Sequence, residues 1–208
     1  MNATEKIVES YFRLCLGCFT MADTKVINGN NRQIDLLAVN LNTNEQYHVE
    51  VSVTHQENWC PTPEDLFTEF EKKYFGAPPK REGKNTDYST GKTYEKQIYK
   101  TYEAVGLNSK SIKRVWVCWT VVGADNIDHQ MEQYCKKRGL NKTSIEILSF
   151  RDVIIPSLMR KVATSNYEDD VLRTLSLLQQ FEKQQNKNKK GIRRTRDVVK
   201  APVKTGGV

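Results

Sequence analysis

Long apolar runs are missing from this 208-residue sequence. No stretch approaches the roughly 18 residues that a membrane span needs, and the N-terminus lacks the apolar core of a signal peptide. The expected setting is therefore intracellular, cytoplasmic or nucleoid-associated, with no membrane partner. Cysteine is sparse: five residues are scattered along the chain, and the closest pair, Cys15 and Cys18, is a lone CxxC with no second pair. That odd count and scattered spacing read as reduced thiols, not as a disulfide framework or a zinc site. Cys15 follows the apolar rhythm of its helix, which makes it a packing residue. No internal repeat is present.

An excess of charge of one sign is also missing from most of the chain. The net charge is +7, but residues 183–208 hold nine basic residues and one acid, while residues 1–182 hold 23 basic and 24 acidic residues. The folded part is nearly neutral and the C-terminus carries the excess. The segment "KQQNKNKKGIRRTRDVVKAPVKTGGV" has few large apolar groups and is expected to be a disordered tail. It reads either as a non-specific attractor of phosphates or as a solubilising extension. Residues 1–182 are expected to form a single α/β domain, a length sufficient for one core.

What is present is a succession of short periodic segments. "ATEKIVESYFRLCLG" spaces Ile7, Val8, Tyr11, Phe12, Leu14 and Cys15 as a helix, with Thr4 as its cap and Gly17 as its stop. Residues 18–27 and 32–40 read as strands around the turn "NGNN", and "LNTNEQ" turns the chain into a strand at 46–54. Helices near 63–75 and 93–106 flank a polar Gly/Pro-rich loop, "GAPPKREGKNTDYSTGK". "KRVWVCWTVV" is a buried strand, "DNIDHQMEQYCKKRG" a helix and "TSIEILSF" a further strand. "FRDVIIPSLMRKV" and "DDVLRTLSLLQQFEK" are helices. The fold class expected is α/β: a mixed sheet with an N-terminal antiparallel β-meander, flanked by helices.

One stretch carries the functional question. In "YHVEVSVT", residues 47–54, valines occupy one face, and His48, Glu50, Ser52 and Thr54 the other. If the preceding hairpin is centred between Asn42 and Thr43, paired positions sum to 85. Asp35 then lies opposite Glu50, and Leu37 opposite His48. Opposed side chains on an antiparallel pair have Cβ atoms only about 5 Å apart. Two carboxylates at that distance repel, and one gains a proton unless a cation intervenes. Hard divalent cations select carboxylates, so the polar face reads as a metal site. A slip of one residue would put the two acids on opposite faces.

A helix with Glu9, a hairpin with "QIDLLAV" and then "HVEVSVT" resembles the PD-(D/E)XK nuclease superfamily, the restriction-endonuclease-like fold, over roughly residues 5 to 121. The pattern there is an acid on the second core strand and (D/E)-x-K on the third, often joined by a helical Glu. The resemblance implies Asp35 and Glu50 as ligands of Mg²⁺ or Mn²⁺, with the carbonyl of Val51, and Glu9 as an auxiliary acid. It also implies nucleic acid, expected to be DNA, as the partner, and a homodimer is the common form for a duplex cutter of this size. The family's lysine falls at Ser52, which can orient a water but cannot supply charge. Relatives often place a glutamine or lysine from the later helix near the site. On the helix at 93–106, Lys96 and Lys100 point away from the apolar stripe of Tyr94, Ile98, Tyr102 and Val105, which favours Gln97. Lys25 is a further candidate.

Each of these residues also has a plainer reading. Glu9 fits the solvated side of its helix. Asp35 and Glu50 fit an exposed sheet face, His48 a polar neighbour, and Gln97 a rim position. Trp59, Trp116 and Trp119 fit packing, and "KREGK" a solvated loop. The expected function is a Mg²⁺-dependent endonuclease-type phosphodiesterase with Asp35, Glu50 and Val51 on the metal and Ser52 and Gln97 placing water. The alternatives are an inactive nuclease-fold module binding nucleic acid or a protein, and an assembly subunit with no nucleic-acid affinity.

Overall fold

The structure is a computed structural model that describes residues 1–53, 63–77, 93–120 and 127–199. Thr54, Trp59 and the "KREGK" segment lie outside the described residues. The first helix, α1 (Ala3–Leu14), is followed by β1 (Phe19–Lys25), β2 (Gln33–Asn40) and β3 (Glu45–Ser52). Then come α2 (Pro63–Phe75), α3 (Glu95–Ala104), β4 (Lys113–Cys118), α4 (Ile127–Lys137) and β5 (Ile145–Ser149). A π-helical turn (Phe150–Ile154) leads into α5 (Ile155–Lys161), and α6 spans Asp170–Val199. The five strands form one mixed sheet in the order β1-β2-β3-β4-β5. The first three are antiparallel neighbours, while β3, β4 and β5 run parallel. This is the expected α/β class with its N-terminal meander.

The hairpin register is the one expected. Leu36 pairs with Val49, Leu37 with His48, Ala38 with Tyr47 and Asn40 with Glu45, all summing to 85. Cross-strand partners share a face, so two rows separate the sheet's sides. Met21, Leu37, His48 and Arg114 lie on one face, and Thr20, Ala38, Tyr47 and Lys113 on the other. Helix α1 covers the second face, where the Phe12 ring meets Tyr47 edge-on at 5.3 Å. Helices α2 and α3 cover the first: Tyr74 and Tyr102 both meet His48 edge-on, and Phe70 meets Trp116. His48 and Glu50, from the polar face of that strand, are thus packed, not open. Trp116 is a core residue, as its plainer reading held, and Trp119 lies against Phe150.

Local chemistry explains several boundaries. The cap of α1 is Asn2, not Thr4: Asn2 Oδ1 accepts from the Thr4 and Glu5 amides, and Glu5 accepts back from the Asn2 amide in a capping box. Asn outranks Thr in that position and lies two residues earlier. Pro63 opens α2, where its missing N–H costs nothing. Gly76 closes it with φ +67°, and a Cβ there would stand 2.7 Å from Tyr94 Cβ, so only glycine fits. The segment read as one helix, "FRDVIIPSLMRKV", is split into a π-helical turn and α5. Pro156 has no amide to continue the regular ladder.

Two compact units are present, Met1–Leu158 and Met159–Val208. Within the second, Ser176 Oγ bonds both backbone groups of Ser165, and α6 continues to Val199. Residues 183–199 are therefore helical where irregular chain was expected. Lys, Arg and Gln are strong helix formers even in a segment too polar to build a core.

Candidate functional site

The β2–β3 ladder ends at the Leu36–Val49 rung, and Asp35 and Glu50 are the next facing positions. Here the strands part. The amide of Val51 turns from the backbone ladder to the side chain of Asp35, donating to Oδ2 at 2.8 Å. Asp35 is half-buried and Glu50 buried. Each carboxylate responds differently to that setting. Burial first, and then the charge of Glu50, pushes the Asp35 carboxyl up to about 6, against the opposing pull of the Val51 amide and Lys73. Burial pushes Glu50 the same way, but donation from His48 and the charge of Lys73 outweigh it and hold Glu50 below its ordinary value. The repulsion inferred from register is therefore present, and Asp35 carries it.

His48 is fully buried and lies between two partners. Its Nδ1 is 2.5 Å from the Tyr102 hydroxyl, and its Nε2 is 2.8 Å from Glu50 Oε1. Burial drives its pKa down despite the neighbouring carboxylate, so the ring is neutral. An ionised Glu50 can only accept, so Nε2 carries the proton and Nδ1 accepts from Tyr102. The chain Tyr102 → His48 → Glu50 fixes one carboxylate oxygen. The other, Oε2, accepts from Lys73 Nζ at 3.2 Å. Lys73 comes from the last turn of α2, where a cation is favoured by the helix dipole. Beside His48, the buried Arg114 donates to the Ile112 carbonyl and lies over the Phe75 ring at 5.2 Å. Its charge also opposes protonation of His48.

The remaining expected residues fall in different places. Ser52 shares the face of Glu50 and pairs with Cys118 across to β4. Val51 pairs with Val117. Glu9 accepts from Thr20 at 2.8 Å. Thr20 belongs to the Ala38–Tyr47 row, so Glu9 sits over the opposite face from His48, and the α1 carboxylate that reaches Asp35 electrostatically is Glu5. Gln97 is half-buried, and its Oε1 is buried with no hydrogen-bond partner among the described residues. Its carbonyl accepts from Thr101, whose hydroxyl in turn accepts from the Ile27 amide, so this side of α3 faces the end of β1. Lys25, Lys96 and Lys100 are exposed.

Two residues escaped the sequence reading. Lys73 is one: nothing in helical spacing says which strand residue a lysine will meet. The other is Asp23, which the β1–β2 register sets opposite Asp35, extending the row of acids to three. The ladder skips this position, where Asp23 adopts φ +52°. Its carboxylate is held by the Met1 ammonium at 2.6 Å and by Gln33. Continuing the register arithmetic onto β1 would have located it.

Two carboxylates, of the class hard cations select, face each other where the strand pair parts, with both oxygens of Glu50 held by His48 and Lys73. Among the described residues no group of three or more His, Cys, Asp and Glu could hold a metal, so a cage made of protein alone is not formed. Mg²⁺ commonly takes one or two carboxylates and keeps its waters, which two facing acids satisfy. No family model, curated protein or solved structure matches this chain. No helix among the described residues is long and apolar enough to cross a membrane.

Proposed function

We propose that the protein is a metal-dependent phosphodiesterase acting on nucleic acid, with DNA as the expected substrate. The observation that carries this reading is Asp35 facing Glu50 where β2 and β3 part, with the Asp35 carboxyl raised to about 6 by burial and by its neighbour. A sheet has no structural use for that arrangement, since it costs stability at neutral pH. Two facing carboxylates, one buried and one half-buried, are ligands of the kind a hard divalent cation selects. The mixed sheet with its antiparallel meander also suits the restriction-endonuclease-like fold, which supports the same reading.

Asp35, Glu50 and the Val51 carbonyl would hold Mg²⁺ or Mn²⁺. When bound, such an ion lowers the pKa of a coordinated water and offsets charge on the phosphate. The chain's own residues have separate tasks. The Val51 amide fixes Asp35, and the His48–Tyr102 pair fixes Glu50. Ser52, beside Glu50, orients water, and Gln97 Oε1, without a partner among the described residues, keeps the water-placing role the sequence suggested.

A second reading has an observation of its own. Lys73 already neutralises Glu50, so the acids persist without a metal, as in an inactive nuclease-fold module that binds nucleic acid or a protein. Incubation of supercoiled plasmid with Mg²⁺ or Mn²⁺ separates the two. A nuclease nicks or linearises the plasmid, stops with EDTA and is inactivated by Glu50→Ala. Activity that survives Glu50→Ala belongs to a contaminant, and no metal-dependent activity leaves the binding module.

A further inference from the structure

We infer that Lys73, from the last turn of α2, supplies the positive charge that Ser52 cannot. This rests on the phosphodiesterase reading of the same site. Lys73 Nζ lies 3.2 Å from Glu50 Oε2, and its charge also acts on Asp35. It is the cation joined to Glu50 among the described residues. The other nearby cations are committed elsewhere or face solvent. Arg32 donates to the Lys72 and Ala77 carbonyls, and Arg114 is spent on the Ile112 carbonyl and the Phe75 ring. Lys25, Lys96 and Lys100 are exposed.

Chemistry and placement agree on the role. Ser52 stands two residues after Glu50 on the same face, so a lysine there would project beside this carboxylate. Lys73 brings its ammonium to the same carboxylate from the helix packed over that face. Its side chain is 18 % exposed, buried enough to be held and open enough to reach an incoming phosphate. An ammonium has three donors on a flexible stem, so it can keep Glu50 and still donate to a non-bridging phosphate oxygen. Gly76, with no room for a Cβ against Tyr94, fixes the end of the helix turn that carries it.

In hydrolysis the water oxygen bonds to phosphorus and the bond from phosphorus to the leaving alkoxide breaks. The water gives its proton to solvent, and the alkoxide takes one back. Negative charge builds on the phosphoryl oxygens as this happens, and Lys73 lies on the side of Glu50 where it offsets that charge. A positioned donor of this kind is worth on the order of 100-fold in rate.

The test is relocation of the charge. Four proteins are compared: wild type, Lys73→Met, Lys73→Arg and the double variant Lys73→Met/Ser52→Lys, each checked for folding by circular dichroism. Two quantities are read, plasmid cleavage with Mn²⁺ and the affinity of the Mn²⁺-loaded protein for inorganic phosphate. Lys73→Met should lose about 100-fold in cleavage and about tenfold in phosphate affinity. Lys73→Arg should retain more of both, and the double variant should regain at least a tenth of the wild-type rate and the phosphate affinity. Unchanged cleavage and phosphate affinity in Lys73→Met would overturn the inference, as would a folded double variant that regains neither. If wild type does not cleave at all, the phosphodiesterase reading fails. The phosphate series then still decides whether Lys73 is the phosphate-facing charge.

Discussion

At the scale of single residues, Asp35 is the position where burial and a facing carboxylate oppose stability at neutral pH. Its carboxyl keeps its proton up to about pH 6 in the fold, against roughly 3.9 in an unfolded chain. The folded state therefore binds the proton more tightly. Its stabilising contribution is complete below the unfolded value and is lost as pH rises through 6. Asp35→Asn removes that loss and keeps an oxygen for the Val51 amide. It should raise stability at pH 8 by roughly 1–2 kcal/mol, after discounting for partial exposure, and change little at pH 3.5. Urea denaturation at the two pH values measures this, and an equal gain at both would show that the cost is not electrostatic. Tyr102→Phe tests the other carboxylate. It strips the donor from His48 Nδ1 and leaves a buried acceptor unpaired, at a cost of about 1–3 kcal/mol. It should also shift the imidazole ¹⁵N resonances as the tautomer loses its lock. Unmoved resonances would mean that Tyr102 does not set the tautomer. Asp35 and Glu50 could be read from sequence because register is arithmetic once a hairpin centre is chosen. Lys73 could not, since its partner lies across a tertiary contact that no local pattern encodes.

At the scale of elements, period and punctuation locate each strand and helix described between Ala3 and Ser149. β1 to β3 follow from alternation around "NGNN" and "LNTNEQ", and α2 begins at Pro63 and ends before Gly76 as composition suggests. Two elements were misjudged for identifiable reasons. Pro156 lies inside an apolar rhythm strong enough to suggest an unbroken helix, and the backbone answers it with a π-helical turn. In α6, low apolar content points to irregular chain, yet the helix, rich in the strong helix formers Lys, Arg and Gln, runs through Val199. The charge reading of that segment is separate and testable. Deleting residues 183–208 removes nine basic residues and one acid. It should leave the unfolding midpoint of the Met1–Leu158 unit within about 1 °C, and weaken non-specific DNA binding. Because phosphate neutralisation sets the salt slope, the dependence of affinity on salt should flatten. An unaltered slope would show that the basic segment takes no part in binding.

At the scale of the whole molecule, residues 1–182 are nearly neutral and the C-terminal segment is basic. The facing acids stand where β2 and β3 part, and the excess positive charge lies in the last 26 residues. The body buries a carboxylate, an imidazole, an arginine and a tyrosine hydroxyl in one layer between the sheet and helices α2 and α3. Such a layer is costly unless every group finds a partner. Here the partners are found for Glu50 and His48, while Asp35 is left with a charge that burial and Glu50 disfavour. The central claim is that a divalent cation completes this arrangement. Anomalous diffraction from a crystal soaked in Mn²⁺ tests it most directly. The account predicts a peak within roughly 2.0–2.3 Å of carboxylate oxygens from both Asp35 and Glu50. A soaked crystal with no peak between them would contradict it.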